Sequence, residues 1–255
     1  MNPLLQRIVD RTRQDLTHRL DDTLPRKTRP HDVPGFSAVM RDGRARAVPA
    51  LIAEVKPRSP SKGQLRSRDD LDPVFEAYRR HADAVSVLVD RPFFGGGFDL
   101  LAEARQRLPH PLLAKGFFVE QRQVEEVAAH GADAVLLIAR ILDDGALGKL
   151  MDVAARRRLE VLIEVHDEAE LQRVLRFDPA IVGVNARDLD TFEVDPAGAR
   201  SLLAEIPSSV IRVAESGLER REDVVALKRI ADACLIGTAF MSAPDPAAAI
   251  EALGW

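Results

Sequence analysis

The sequence predicts a single α/β domain, a (β/α)8 barrel with an extra N-terminal helix, and three observations carry that reading. Short apolar runs recur eight times, ending near Lys56, Val89, Lys115, Ile138, Val165, Asn185, Glu215 and Gly237, roughly 20 to 33 residues apart. Between them lie helical patterns, and eight strand–helix alternations predict a parallel sheet closed on itself. No linker interrupts 50–255, and 255 residues is a usual size for one such barrel. A doubly wound open sheet is the alternative, but it rarely needs eight evenly spaced units.

Taken in order, residues 4–20 place Leu4, Leu5, Ile8, Val9, Leu16 and Leu20 at helical spacing, an amphipathic helix. Residues 21–49, rich in Pro, Arg and Asp, read as a connector with a short helical piece near Phe36 to Arg41. Residues 1–49 are thus expected to be a helix and connector packed on the barrel of 50–255, one domain overall. Helices are predicted over about 69–82, 98–108, 120–130, 144–158, 167–176, 196–206, 219–230 and 245–253. Ser67 ahead of an acidic run, Asp195-Pro196 and Asp245-Pro246 supply N-cap and first-turn signals.

Composition narrows the function. Apolar residues make up 46% and charged residues 30%, enough for a substantial core. A net charge of −4 and a pI near 5.9 argue against a nucleic-acid partner. Basic clusters at Arg41 to Arg46 and Arg156 to Arg158 stand out locally, the second reading as a solvated helix face. The single cysteine, Cys234 in ADACLIG, allows no intramolecular disulfide, fits a reducing compartment and reads as a buried, inert thiol. Charges interrupt MNPLLQRIVDRTRQDL, and no stretch reaches the ~18 apolar residues of a span, so no membrane partner and a cytoplasmic location are expected. The six histidines are scattered, so no metal is expected. No P-loop or G-x-S-x-G elbow is present, and the GGG at 95–97 lacks the dinucleotide spacing and reads as a loop.

The chemistry gathers at strand ends. LIAEVKPRSPSKG (51–63) begins as a buried strand yet carries Glu54 and Lys56 at i and i+2, on one side of the strand. Unpaired buried charge costs several kcal/mol, so this face reads as the wall of a polar pocket rather than core. A plain buried ion pair is the competing reading. The following Ser, Pro, Lys and Gly read as a mobile anion-binding loop. In VLIEVH, Glu164 shares a face with Leu162, while His166 reads as a satisfied structural histidine. Asp90, Lys115, Asn185, Arg187, Glu215 and Ser216 complete the polar strand ends, where barrels of this class do their chemistry. AESGL (214–218) and LIGTAF (235–240) place small residues at two neighbouring ends. With a short helix after Gly237-Thr238, they predict a phosphate site.

Together, IAEVKPRSPSKG, AVSVLVDRPFFGGG, LLAKGFF, GADAVLLI, LEVLIEVHDEAEL, GVNARDLDTFEVD, VAESG and CLIGTAFM, within residues 50–242, resemble the indole-3-glycerol phosphate synthase family. The first helix resembles the family's extra helix more weakly. The resemblance implies a TIM barrel acting without a cofactor as a carboxy-lyase of tryptophan biosynthesis. Its substrate, 1-(2-carboxyphenylamino)-1-deoxyribulose 5-phosphate, loses CO2 and water to give indole-3-glycerol phosphate. Lys115 resembles the general acid, Glu164 and the Glu54/Lys56 pair fall to the dehydration, and Asn185 and Glu215 to orientation, with Arg187 nearby. Lys56 would also hold the anthranilate carboxylate. Ser59, Ser216, Gly217, Gly237 and Thr238 would cradle phosphate, and Phe94 and Phe117 would clasp the aromatic ring. The expected partner is a phosphorylated small molecule, the chain a monomer, with other tryptophan-pathway enzymes as candidate contacts. The pattern departs at Ala114 and Gly116, where the family reads close to RKDF, at Ala186 for a polar residue, and at Val89-Asp90 for Thr-Glu. These departures leave room for a divergent synthase of a substituted anthranilate, or for a catalytically silent phosphate-binding barrel.

Overall fold

The computed structural model describes residues 3–17, 33–43 and 48–255. Eight parallel strands close in the order of the chain: β1 (Ala50–Val55), β2 (Ala84–Leu88), β3 (Leu112–Lys115), β4 (Ala134–Ile138), β5 (Glu160–Val165), β6 (Ile181–Asn185), β7 (Ile211–Glu215) and β8 (Ala233–Ile236), with β8 pairing back onto β1. Ahead of them lie α1 (Pro3–Thr17) and α2 (Phe36–Gly43). The connections carry α3 (Asp72–His81), α4 (Arg91–Phe94), α5 (Phe98–Arg107), α6 (Gln121–Ala129), α7 (Asp144–Arg156), α8 (Glu168–Leu175), α9 (Pro196–Glu205), α10 (Arg221–Val225), α11 (Thr238–Met241) and α12 (Pro246–Leu253). Leu20, most of the connector and Arg44 to Arg46 lie outside the described residues.

Strand alternation divides the core in two. Ala50, Ile52, Leu113, Leu136, Leu162, Ile211 and Leu235 fill the barrel interior, while Leu51, Ala53, Val85, Ala114, Val135, Ile163, Val182 and Cys234 face the helices. Both faces of each strand are buried, so the strands read as continuous apolar runs. Burial pushes the Cys234 thiol above its usual range, an inert packing group.

The bottom of the barrel is closed by polar devices. Phe36 and Met40 of α2 are fully buried with the interior residues, and the Ser37 backbone N–H donates to Glu160 Oε2 at the start of β5 (3.1 Å). A repeated Ala-Asp-Ala precedes β2, β4 and β8. Asp83, Asp133 and Asp232 accept the backbone N–H of Leu51, Leu112 and Arg212 at 2.9, 2.8 and 2.8 Å, anchoring the strand next door.

Four local features differ from the sequence expectation. Within RSPSKG, Arg58–Ser59 pairs with Gly63–Gln64 as a tiny antiparallel ladder, too short to show a period of two. Helix α4 is additional: Asp90 caps it, its Oδ1 accepting from Phe93 and Phe94 N–H at 2.7 and 3.2 Å. Ser67 caps a 3-10 turn (Arg68–Asp70) rather than α3, whose start is set by Pro73 in its first turn. Beyond Val225 the expected helix tightens, with Leu227 and Lys228 N–H bonding three residues back, so α10 is short.

Asp133 also pairs with Arg105 (3.1 Å), both nearly inaccessible to solvent. Removing one partner of such a pair strands a buried charge, so Asp133→Ala is expected to lower unfolding stability by about 3–5 kcal/mol in urea titration. A loss below ~1 kcal/mol would show that the strand anchor contributes little.

Candidate active site

The register of the barrel levels four charged residues. Glu54 pairs with Ser86 and Ser86 with Leu113; Leu113 with Ala134; Leu136 with Leu162; Gly183 with both Glu164 and Val213; Leu235 with both Glu215 and Ile52. With the stagger of one residue per strand usual for this barrel class, Glu54, Lys115, Glu164 and Glu215 fall in a single layer, one from each odd-numbered strand. Leu88, Ile138, Asn185 and Gly237 of the even strands form the layer above, and Ser86, Leu136, Gly183 and Leu235 the layer below. The uppermost interior layer from the odd strands is therefore built of charge.

Lys115 Nζ lies at the centre, bonded to Glu215 Oε2 and 3.4 Å from Glu164 Oε2 and 3.9 Å from Glu54 Oε1. Lys56 Nζ pairs with Glu54 Oε2 at 2.7 Å. The carboxylates are 1–4% exposed and Lys115 is 16% exposed, so the ammonium is the most accessible member of the layer. Burial disfavours every charge here, and the neighbours decide the outcome. For Lys115, Glu215, Glu164 and Glu54 outweigh burial and hold the ammonium well above the usual lysine range. For Glu164, Lys115, His166 and Asn185 overcome burial and hold the carboxylate far below the usual range. Glu54 is likewise lowered, by Lys56 and Lys115 against burial. Glu215 goes the other way: burial, reinforced by Glu164, outweighs Lys115 and pushes it up to about 7.

Two glycines make the layer possible. A Cβ at Gly183 would collide with Glu215 Oε1, and one at Gly237 with Glu54 Oε2. Gly237 was expected as a phosphate contact, but the barrel also needs it bare to seat Glu54. Gly183 was not anticipated, although an isolated glycine inside an apolar strand often marks such a close approach. The Tyr78 hydroxyl, buried, donates to the Glu54 carbonyl at 2.9 Å and fixes that strand end from behind.

Above the layer opens a cavity of about 390 Å³. Of the anticipated residues, Glu54, Lys56, Lys115, Glu164, Asn185, Ser59, Phe94, Phe117, Arg187, Ser216, Gly217, Gly237 and Thr238 all line it. Glu215 does not; it lies beneath Lys115. One wall is apolar, with Phe94 and Phe117 at 6.0 Å between ring centres, joined by Leu5 and Ile8 of α1 and by Ile138. The opposite wall holds Ser59, the Ser216-Gly217 turn, whose residues take left-handed φ of 66° and 70°, and the start of α11 at Thr238. Arg187 donates through Nη1 to the Phe192 carbonyl (3.0 Å), and its N–H to Asn185 Oδ1 (3.0 Å), so it also braces its own loop. Two further polar strand ends stay out of the cavity. Asp90 caps α4, which delivers Phe94, and His166 sits behind Glu164.

The departures from the family pattern avoid the charged layer for a geometric reason. Ala114 and Gly116 flank Lys115, and Ala114 faces the helices. A Cβ at Gly116 would come within 3.0 Å of Val89 Cγ2, so the changes at 89 and 116 share one space.

A family model described as indole-3-glycerol phosphate synthase matches residues 5–253. Relatives of that name include one from Leptothrix cholodnii, 46% identical over 226 residues (87% of this chain and 86% of the relative). Another, from Koribacter versatilis, is 40% identical over 259 residues (99% of each). Among solved structures, a 3-hexulose-6-phosphate synthase superposes with a TM-score of 0.63 at 16% identity, covering 80% of this chain and 97% of that one, a likeness of fold.

Two outcomes follow from this geometry. Because folding raises Glu215 from about 4.5 to about 7, the folded state holds that proton more tightly. The contribution of Glu215 to stability is therefore full below pH 4.5 and declines as pH rises to 7. Calorimetry should show the Tm of the wild type falling relative to Glu215→Gln between pH 5 and 7; parallel curves would contradict the raised value. Gly183→Ala, which displaces Glu215 without entering the cavity, should reduce turnover about 10²-fold with the fold intact by circular dichroism. Unchanged turnover would show that Glu215 tolerates displacement.

Proposed function

The chain belongs to the indole-3-glycerol phosphate synthase family, and from that premise we propose how its own residues perform the carboxy-lyase reaction of tryptophan biosynthesis. The observation that carries the assignment is the Lys115 ammonium, fixed by three strand-end carboxylates and exposed to a cavity with one aromatic and one anion-ready wall.

The substrate phosphate sits against Ser59, the Ser216-Gly217 turn and the Gly237-Thr238 backbone, whose N–H groups favour an anion. The aromatic ring lies against Phe94 and Phe117, desolvated by the apolar wall. Lys56 receives the ring carboxylate and Arg187 adds positive charge at the rim. Lys115 then donates its proton to the ketone oxygen as the ring carbon bearing the carboxylate attacks the ketone carbon. The new bond leaves a hydroxyl, and loss of CO2 restores the aromatic ring.

Proton transfer from Lys115 removes the very charge that holds Glu164 so weakly basic. Glu164 becomes a stronger base at the moment the second stage needs one, and the dehydration follows. Glu164 takes a proton from the methylene carbon beside the ring nitrogen, and the C–H electron pair forms the new double bond. Lys56, paired with Glu54, protonates the departing hydroxyl so that it leaves as water. Glu215 and Asn185 orient Lys115 and Glu164. No step in this scheme draws on a cofactor.

The cavity is complete within one chain, with Leu5 and Ile8 of α1 in its wall. This supports a monomer in which 1–49 and 50–255 form one domain. Among the described residues no helix is long and apolar enough to cross a membrane. That observation and the single buried cysteine support a cytoplasmic reading.

Mixing purified protein with 1-(2-carboxyphenylamino)-1-deoxyribulose 5-phosphate should release an indole fluorescence signal. Lys115→Ala should cut its rate by about 10²–10⁴-fold while a phosphate-bearing analogue still binds. Equal rates in the two proteins would remove Lys115 as the acid, and no signal in either would favour another substrate.

A further inference from the structure

Behind the cavity, Glu164 is the end of a buried chain of charge that the reaction scheme does not use. The His166 side chain is only 2% exposed. Its Nε2 is 3.3 Å from Glu164 Oε1, close enough for an ion pair though off-line for a hydrogen bond, and its Nδ1 is 3.1 Å from Glu170 Oε2. Glu170 Oε2 also accepts the His166 backbone N–H (2.8 Å), and its Oε1 takes Arg140 Nε at 2.7 Å. Arg140 continues to Asp167 (3.1 Å) and, through Nη1, to Asp188 (2.9 Å) and Asp190 (3.5 Å) in the loop that begins with Arg187.

Each imidazole nitrogen lies within 3.3 Å of a carboxylate oxygen. A neutral ring would leave one lone pair beside a negative charge, so the geometry favours a proton on each nitrogen. We propose that His166 is a positioning residue: an imidazolium wedged between Glu164 and Glu170 that holds Glu164 ionised, aims its Oε2 at Lys115, and ties it through Arg140 to the Arg187 loop. This rests on the reading of Glu164 as the base of the second stage.

The charges around His166 are Glu164 on β5 and Glu170 on α8, with Arg140, after β4, beyond Glu170. Burial lowers the imidazole, but the two carboxylates outweigh it and push His166 up to about 9, while Arg140 and His166 hold Glu170 low against its own burial. The ring is therefore charged across the neutral range and lost as a cation only as pH rises through about 9.

The proposal has a spectroscopic and a kinetic test. In 15N-labelled protein at pH 7.5, His166 should show both ring nitrogens protonated and should titrate near 9. A neutral imidazole at that pH overturns the proposal without any variant. His166→Gln should lower kcat by about 10–100-fold with little change in KM, as when a group that orients a reacting ligand is lost. It should also move the acidic limb of the kcat profile to higher pH, because Glu164 then loses a cation. Glu170→Gln, which keeps the ring but removes its outer partner, should bring the His166 titration below that of the wild type. An unshifted profile in His166→Gln, whether kcat is kept or falls together with Tm, overturns the proposal. Wild-type turnover in Glu164→Gln instead overturns the reading beneath it, and the proposal with it.

Discussion

Everything at the catalytic end answers to one constraint: a layer of the barrel interior that should be hydrocarbon is made of one ammonium and three carboxylates. Burying four such groups separately would cost several kcal/mol each, so none can be explained alone. Lys115 is tolerated because three carboxylates surround it, and each carboxylate because Lys115 is there. The surrounding features serve that arrangement. Gly183 and Gly237 withhold side chains so that Glu215 and Glu54 fit, Tyr78 secures the Glu54 carbonyl, and His166 backs Glu164.

That interdependence also orders the chemistry. Among the three carboxyl groups of the layer, burial and Glu164 raise Glu215, so it takes up a proton first as pH falls. Glu164, with Lys115, His166 and Asn185 beside it, is held in its ionised form. In the proposed scheme, acid and base are distinguished by what each one touches rather than by residue type, and the first proton transfer would reset the balance for the second.

Much of this was legible in the residues. The eight apolar runs end where the strands end, because a strand buried on both faces has no way to hide its pattern. A polar group at the end of such a run is conspicuous, so Glu54, Lys56, Lys115, Glu164, Asn185 and Glu215 could be picked out by position. What escaped was shorter in range or longer in reach. The Arg58–Gln64 ladder and α4 contain too few residues for periodicity, and only Asp90 two residues before Pro92 hinted at the cap. Asp90 and His166 share the polarity of the catalytic groups, yet one serves a helix end and the other a neighbouring carboxylate. Which strand-end polar group faces the cavity depends on barrel stagger, a quantity no local pattern encodes. Glu215 shares the layer of Glu54 and Glu164 but is covered by Lys115, a side-chain packing that the strand pattern does not show.

Leu5 and Ile8 deserve a last thought, because a helix outside the barrel proper supplies part of the cavity's apolar wall. Whatever fills the aromatic end touches α1 as well as the strands. Ligand occupancy and docking of the first helix are then two faces of one equilibrium: each stabilises the other by the same free energy. Ser59, the Ser216-Gly217 turn and Thr238 belong to other loops of the same cavity. A change in how firmly the first helix docks would therefore retune how tightly the cavity holds whatever occupies it.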